Sequence, residues 1–168
     1  MKFLIVVDMQ NDFITGSLGS DLARAIVPSV VEKVKAFDGK VIFTRDTHFD
    51  DYMTTQEGRN LPVPHCIKDS DGWQICDELK PYATTVIDKI TFGSIDLPQI
   101  LKNYTELIDS IELCGLCTDI CVISNAMLLK TAFPEVAIIV DSSCSAGVSV
   151  ESHNIALEAM RAVQIQII

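Results

Sequence analysis

The sequence predicts an α/β fold around a parallel central sheet, and two observations carry that prediction. Six short apolar runs alternate along the chain with stretches of helical spacing, the pattern of repeated strand–helix units. The runs are apolar at nearly every position, as expected of strands buried on both faces of a sheet. KFLIVVDM (residues 2–9) opens the chain as the first strand. Over residues 22–37, Leu22, Ala25, Ile26, Val30 and Val34 recur at helical spacing, with Pro28 standing as an objection. KVIFTRD (40–46) and TTVIDK (84–89) supply the second and third strands. A short helix is expected at 98–104, a fourth strand in ELIDSIELCG (106–115) and a helix at 119–131. EVAIIVDSS (135–143) is the fifth strand, followed by a helix at 152–161 and a last strand, VQIQII (163–168). The stretch from 47 to 80 is too long for an ordinary connection and holds two of the three histidines, so a functional role is expected of it.

A chain of 168 residues is expected to form one domain, here 1–168, with enough core to fold without disulfides. The net charge of −10 argues against nucleic acid or an anionic membrane surface as partner. No apolar run approaches the length of a membrane span, and the first strand begins almost at Met1, leaving no room for a signal peptide ahead of it. A cytoplasmic protein is expected. The six cysteines then read mainly as small buried hydrophobes, not as disulfide partners.

Three polar residues stand where apolar runs end: Asp8 in VVDMQNDF, Lys89 in VIDKITFGS and Cys121 in ELCGLCTDICV. In an open parallel sheet the carboxyl ends of strands are where ligands bind, and an acid, a cation and a thiol together can generate a nucleophile. Thr118 and Asp119 suit a helix start, placing Cys121 in a first turn whose free N–H groups would favour a thiolate and could hold an oxyanion. The alternatives are a structural cysteine on a core-facing helix and a structural Asp8–Lys89 pair. Cys114, Cys117 and Cys121 also spell C-x2-C-x3-C, but the spacing differs from ferredoxin runs and no fourth cysteine lies nearby.

TRDTHFDD places Asp46 and His48 two residues apart, on one side of an extended chain, and LPVPHC adds His65. Two imidazoles and a carboxylate suit a catalytic zinc ion, and equally manganese or iron. Read alone, D-x-H also fits ordinary loop residues.

Together DMQNDF, the lysine after the third strand and GLCTDICV resemble the isochorismatase-like cysteine hydrolases, in order and spacing over essentially the whole chain. The resemblance implies a three-layer α/β/α sandwich, Rossmann-like, around a six-stranded parallel sheet. It implies Cys121 as nucleophile, Asp8 as proton acceptor and donor, and Lys89 as the group that orients both. It also implies a cis peptide between Leu116 and Cys117, with the backbone N–H groups of Cys117 and Cys121 as oxyanion hole. The D-x-H followed by a proline-histidine segment, here Pro64-His65, resembles the nicotinamidase-like branch, in which a divalent metal, zinc foremost, would sit on Asp46, His48 and His65. Glu57 is the best match for a further ligand, with Asp50 and Asp51 as competitors, and Phe13 matches an aromatic residue lining the substrate pocket. The expected activity is hydrolysis of a small carboxamide by a homo-oligomeric enzyme. Alternatives are an isochorismatase-type or other small-amide hydrolase of the same fold, and a binding or redox protein without turnover. Leu61-Pro62-Val63 departs from the branch, which often has Trp or Phe there; Trp73 stands only after His65.

Overall fold

The computed structural model describes residues 1–104 and 107–168. Six strands, β1 (Lys2–Val7), β2 (Lys40–Asp46), β3 (Val86–Lys89), β4 (Ser110–Leu116), β5 (Ala137–Ala146) and β6 (Gln166–Ile167), form one sheet. Every pairing is parallel and the order is β3-β2-β1-β4-β5-β6. The expected start of the fourth strand, Glu106, lies outside the described residues. That strand runs on past Gly115 to Leu116, so Cys114 is interior to it and not its end.

The alternation of side chains along β1 divides the core. Phe3, Ile5 and Val7 pack with α4 (Asp96–Lys102), α5 (Ile123–Ala132) and α6 (Val150–Ala162). Leu4 and Val6 face the opposite layer, built mainly on α2 (Asp21–Ala36). Residues of β1 from Phe3 to Val7 are wholly buried, which is why the run shows no polar alternation. The α2 helix starts at Ser20, whose hydroxyl accepts from the Ala23 N–H, and passes through Pro28 without ending. Ala23, Ile26, Val27, Val30 and Val34 form its buried stripe, and that tertiary packing outweighs the lost hydrogen bond. Two short helices escaped the periodicity reading, α1 (Asn11–Ile14) and α3 (Gln56–Asn60), because one turn carries no repeat to detect.

In this strand order the chain reverses direction between β1 and β4, the switch point where such sheets bind ligands. The two strands approach closely there. Gly115 has φ +117°, and a Cβ on it would lie 2.2 Å from the Val7 carbonyl oxygen. Only glycine permits that contact. Asp8, the next residue of the first strand, takes φ 47°, left-handed backbone that Asp tolerates better than most residues. Among the described residues no helix is long and apolar enough to cross a membrane.

Candidate active site and metal centre

The structure brings Asp8, Lys89 and Cys121 together above the switch point, all of them buried. The Lys89 ammonium lies 2.7 Å from Asp8 Oδ2 and donates to Asp46 Oδ1 at 3.1 Å and to Cys121 Sγ at 3.4 Å. The Thr44 hydroxyl donates to Asp8 Oδ1 at 2.7 Å. Burial raises the Asp8 carboxyl above its ordinary range, opposed by Lys89 and reinforced by Asp46. Burial disfavours charge on Lys89, yet Asp8, Cys121 and Asp46 outweigh it and hold the ammonium protonated.

The thiol departs from expectation. Burial pushes Cys121 well above its usual range; Lys89 pulls it down, while Asp8 and Asp46 push it further up. Burial and the two carboxylates thus oppose the thiolate that Lys89 favours. Nor does Thr118 cap a helix there. The chain turns through a π-type turn, Thr118–Val122, and the Thr118 hydroxyl lies 2.8 Å from His153 Nδ1 instead. His153 thus braces the turn, a packing role. The Asp119 carboxylate accepts the Val148 N–H at 3.1 Å, fastening the loop after β5 to the turn that carries Cys121. The Leu116–Cys117 peptide is cis.

The cysteine spacing makes no cluster. Cys114 and Cys117 pack with the α2 layer, whereas Cys121 belongs to the core on the other face of the sheet.

Asp46, His48, Glu57 and His65 each offer a ligand atom, all within 4.8 Å of one another. Asp46 Oδ2 is 3.0 Å from His48 Nε2 and 3.7 Å from His65 Nε2, and Glu57 Oε1 is 3.5 and 3.8 Å from the same nitrogens. Burial would raise the Asp46 carboxyl, but His48 and Lys89 together hold it below its ordinary range. Asp50 and Asp51 are exposed and outside the group.

Three observations show that these residues fit a divalent metal ion. His48 Nε2 is buried and faces the carboxylate oxygens of Asp46 and Glu57 at 3.0 and 3.5 Å but makes no well-formed hydrogen bond among the described residues, which leaves it open to an ion that both carboxylates also face. His65 Nδ1 lies 2.8 Å from the Val63 carbonyl, so it carries the proton and leaves Nε2 free as a ligand. Asp8 and Asp46 share one ammonium, Lys89, and Glu57 adds a third carboxylate beside Asp46, an imbalance that a dication offsets.

Several supporting residues carried no signal in the sequence. Gln10 donates to the carbonyls of Asp46 and Trp73, both at 2.9 Å, and accepts the Asp46 N–H at 2.7 Å. Buried Tyr52 packs against both imidazoles, with ring centroids 4.7 Å from His48 and 5.1 Å from His65. Asn125, wholly buried, donates to the carbonyls of Cys121 (2.8 Å) and Phe92 (3.2 Å) and accepts the Ser94 N–H (2.9 Å). It ties the Cys121 turn to the loop after β3. Trp73 stays out of the pocket: its indole N–H donates to Thr47 and the Arg45 guanidinium stacks 3.2 Å over its ring.

A cavity of about 570 Å³ opens onto these groups. Asp46, Glu57, His65, Cys117 and Cys121 are among its lining residues, as is Phe13, whose ring centroid lies 5.6 Å from that of His65.

Known proteins share this architecture. A family model of the isochorismatase domain matches residues 2–168. The chain is 27% identical over 187 residues to the nicotinamidase/pyrazinamidase of Mycobacterium tuberculosis, covering 100% of this chain and 98% of that protein. The crystal structure of a nicotinamidase/pyrazinamidase from Bacillus subtilis superposes with TM-score 0.87 at 29% identity, covering 99% of this chain and 98% of that one. Pyrazinamidase of Pyrococcus horikoshii in complex with zinc gives TM-score 0.83 at 26% identity, with coverage of 99% and 98%. The chain belongs to the isochorismatase family. Within that family it stands in the nicotinamidase-like branch and is an amidohydrolase.

Proposed function

We propose that this chain hydrolyses nicotinamide to nicotinate and ammonia through a thioester on Cys121, within one catalytic domain spanning 1–168. Lys89 carries the reading: one ammonium within 3.4 Å of Asp8, Asp46 and Cys121 joins the acid–thiol pair to the metal-capable group. In the proposed reaction Asp8 accepts the Cys121 proton as Sγ attacks the carboxamide carbon. The burial that raises the Asp8 carboxyl also makes it a better proton acceptor. As the carbon–sulfur bond forms, the carbonyl electron pair moves onto oxygen, where the backbone N–H groups of Cys117 and Cys121 receive it. The carbon–nitrogen bond then breaks and Asp8 passes its proton to the departing ammonia. Water, giving a proton to Asp8, adds to the thioester; the carbonyl re-forms as the carbon–sulfur bond breaks, Asp8 returns the proton to sulfur, and nicotinic acid leaves, giving up its remaining acid proton to ammonia as nicotinate.

Zinc is the ion we assign to Asp46, His48, Glu57 and His65, a donor set that manganese or iron would also accept. When bound, it supplies a Lewis-acid anchor for the pyridine nitrogen of the substrate. Among the described residues lining the cavity none is Arg or Lys, so no cationic side chain there pairs with a carboxylated substrate. That favours a neutral amide over the anionic substrates open to other hydrolases of this fold. The family resemblance supports a homo-oligomer, and six unpaired thiols suit the reducing cytoplasm.

The test is ammonia release from nicotinamide, pyrazinamide and an amide bearing a free carboxylate, with metal content measured on the same sample. Turnover of the two neutral amides with metal bound is expected. Preference for the carboxylated amide would overturn the assignment.

A further inference from the structure

We infer that the site takes neutral aromatic carboxamides that carry an apolar substituent, not only a bare one-ring amide. This deepens the proposed amide hydrolysis and rests on it. Cys121 and the metal-capable Asp46, Glu57 and His65 supply only part of the cavity lining. Even at about 30 Å³ per non-hydrogen atom, a separate water's share of the liquid and more than a bonded atom takes, a one-ring pyridine carboxamide fills at most about half of the 570 Å³. The volume falls among pockets that hold drug-sized molecules.

The remaining walls are mainly apolar, interrupted by Ser20, Gln56, Asn60 and Thr91, and come from separate parts of the chain. Leu18 stands before α2, Leu61 after α3, Phe92 after β3, Ile120 in the π-type turn and Val148 after β5. Three of them stay wet at the mouth: Leu61 is 39% exposed, Phe92 43% and Val148 64%. A ring of exposed apolar side chains around a cavity marks a binding groove for apolar material. The rim is also held in place. Asn125 holds the Phe92 carbonyl and Asp119 holds the Val148 N–H, and both anchors start from the segment that carries Cys121. The absence of Arg and Lys from the described lining argues against a charged acidic substituent.

The experiment measures kcat/KM for ammonia release from nicotinamide and from its methyl, ethyl and propyl derivatives, substituted at ring carbon 5 or 6. An increase of about fourfold per buried methylene is expected in at least one of the two series. Leu61→Asp and Val148→Asp should each lower the ratio of propyl-substituted to unsubstituted kcat/KM tenfold or more. Turnover of nicotinamide with kcat/KM falling at every added carbon in both series overturns the inference and leaves the proposed hydrolysis standing. Rim substitutions that leave the ratio unchanged overturn it as well. Silence of nicotinamide and all derivatives alike overturns both.

Discussion

Thr44→Val removes one hydroxyl and keeps the shape of a buried β-branched side chain. That hydroxyl donates to Asp8 Oδ1 at 2.7 Å, with both residues fully shielded from water. A hydrogen bond to a charged group contributes about 1.5–3 kcal/mol and one to a neutral group about 0.5–1.5 kcal/mol, so the hydroxyl favours the ionised carboxylate by about 1–1.5 kcal/mol. At about 1.36 kcal/mol per unit, its loss raises the Asp8 pKa by roughly one unit, on top of the rise that burial imposes. Asp8 must be ionised to accept the thiol proton, so a higher pKa removes the active form at low pH. The acid limb of the kcat/KM profile should move about one unit toward alkaline pH, with the plateau above it little changed. The profile is measured by ammonia release across the acid and neutral range. An acid limb that stays in place in Thr44→Val would show that Asp8 is not the base, or that its ionisation does not limit the reaction.

Other outcomes follow from the same contacts. Cys117→Ala should keep most activity, because its assigned role uses a backbone N–H; a loss as complete as that of Cys121→Ala, read by ammonia release, would refute this. Asn125→Ala leaves the Cys121 and Phe92 carbonyls and the Ser94 N–H without their buried partner, at about 1–3 kcal/mol each where no water replaces it. Tenfold or more should be lost in kcat, together with a lower urea midpoint. Burial works against the Asp141 carboxylate, but Lys33 and Ser143 hold its pKa below the ordinary value. A depressed folded pKa gives stability that is present above the unfolded value of about 3.9 and is lost as pH falls through the folded value. Asp141→Asn should therefore lower the urea midpoint at pH near 7 far more than at pH near 3; equal losses at both would contradict the linkage. His48→Ala should lose bound metal on elemental analysis, and unchanged stoichiometry would remove His48 from the ligand set.

The features legible in the sequence were those carried by local pattern. β1 and β2 read as strands because every residue between Phe3 and Val7, and most from Ile42 to Asp46, is buried. Asp8, Lys89 and Cys121 were conspicuous as polar residues at the ends of such runs. Asp46 and His48 were conspicuous for their spacing. What stayed hidden depends on register and on distant chain. Thr44 looks like any strand threonine until pairing places it opposite Val7 and beside Asp8. Gln10 clamps residues from two other segments, and Asn125 gathers three, so neither has a local signature. Thr118 misled in the opposite way. Its sequence context suits a cap, but a partner 35 positions later, His153, takes the hydroxyl.

The central claim is that Cys121 is the nucleophile of a nicotinamide hydrolase whose metal group is separate from the thiol. Its most direct test measures ammonia release from nicotinamide and bound metal together, in the native protein and in Cys121→Ala. The account predicts turnover by the native protein and loss of at least about 10⁴-fold in the variant, because removing the nucleophile removes the covalent route. Both proteins should hold the same amount of metal. Substantial turnover by Cys121→Ala, or loss of activity only in step with loss of metal, would contradict it.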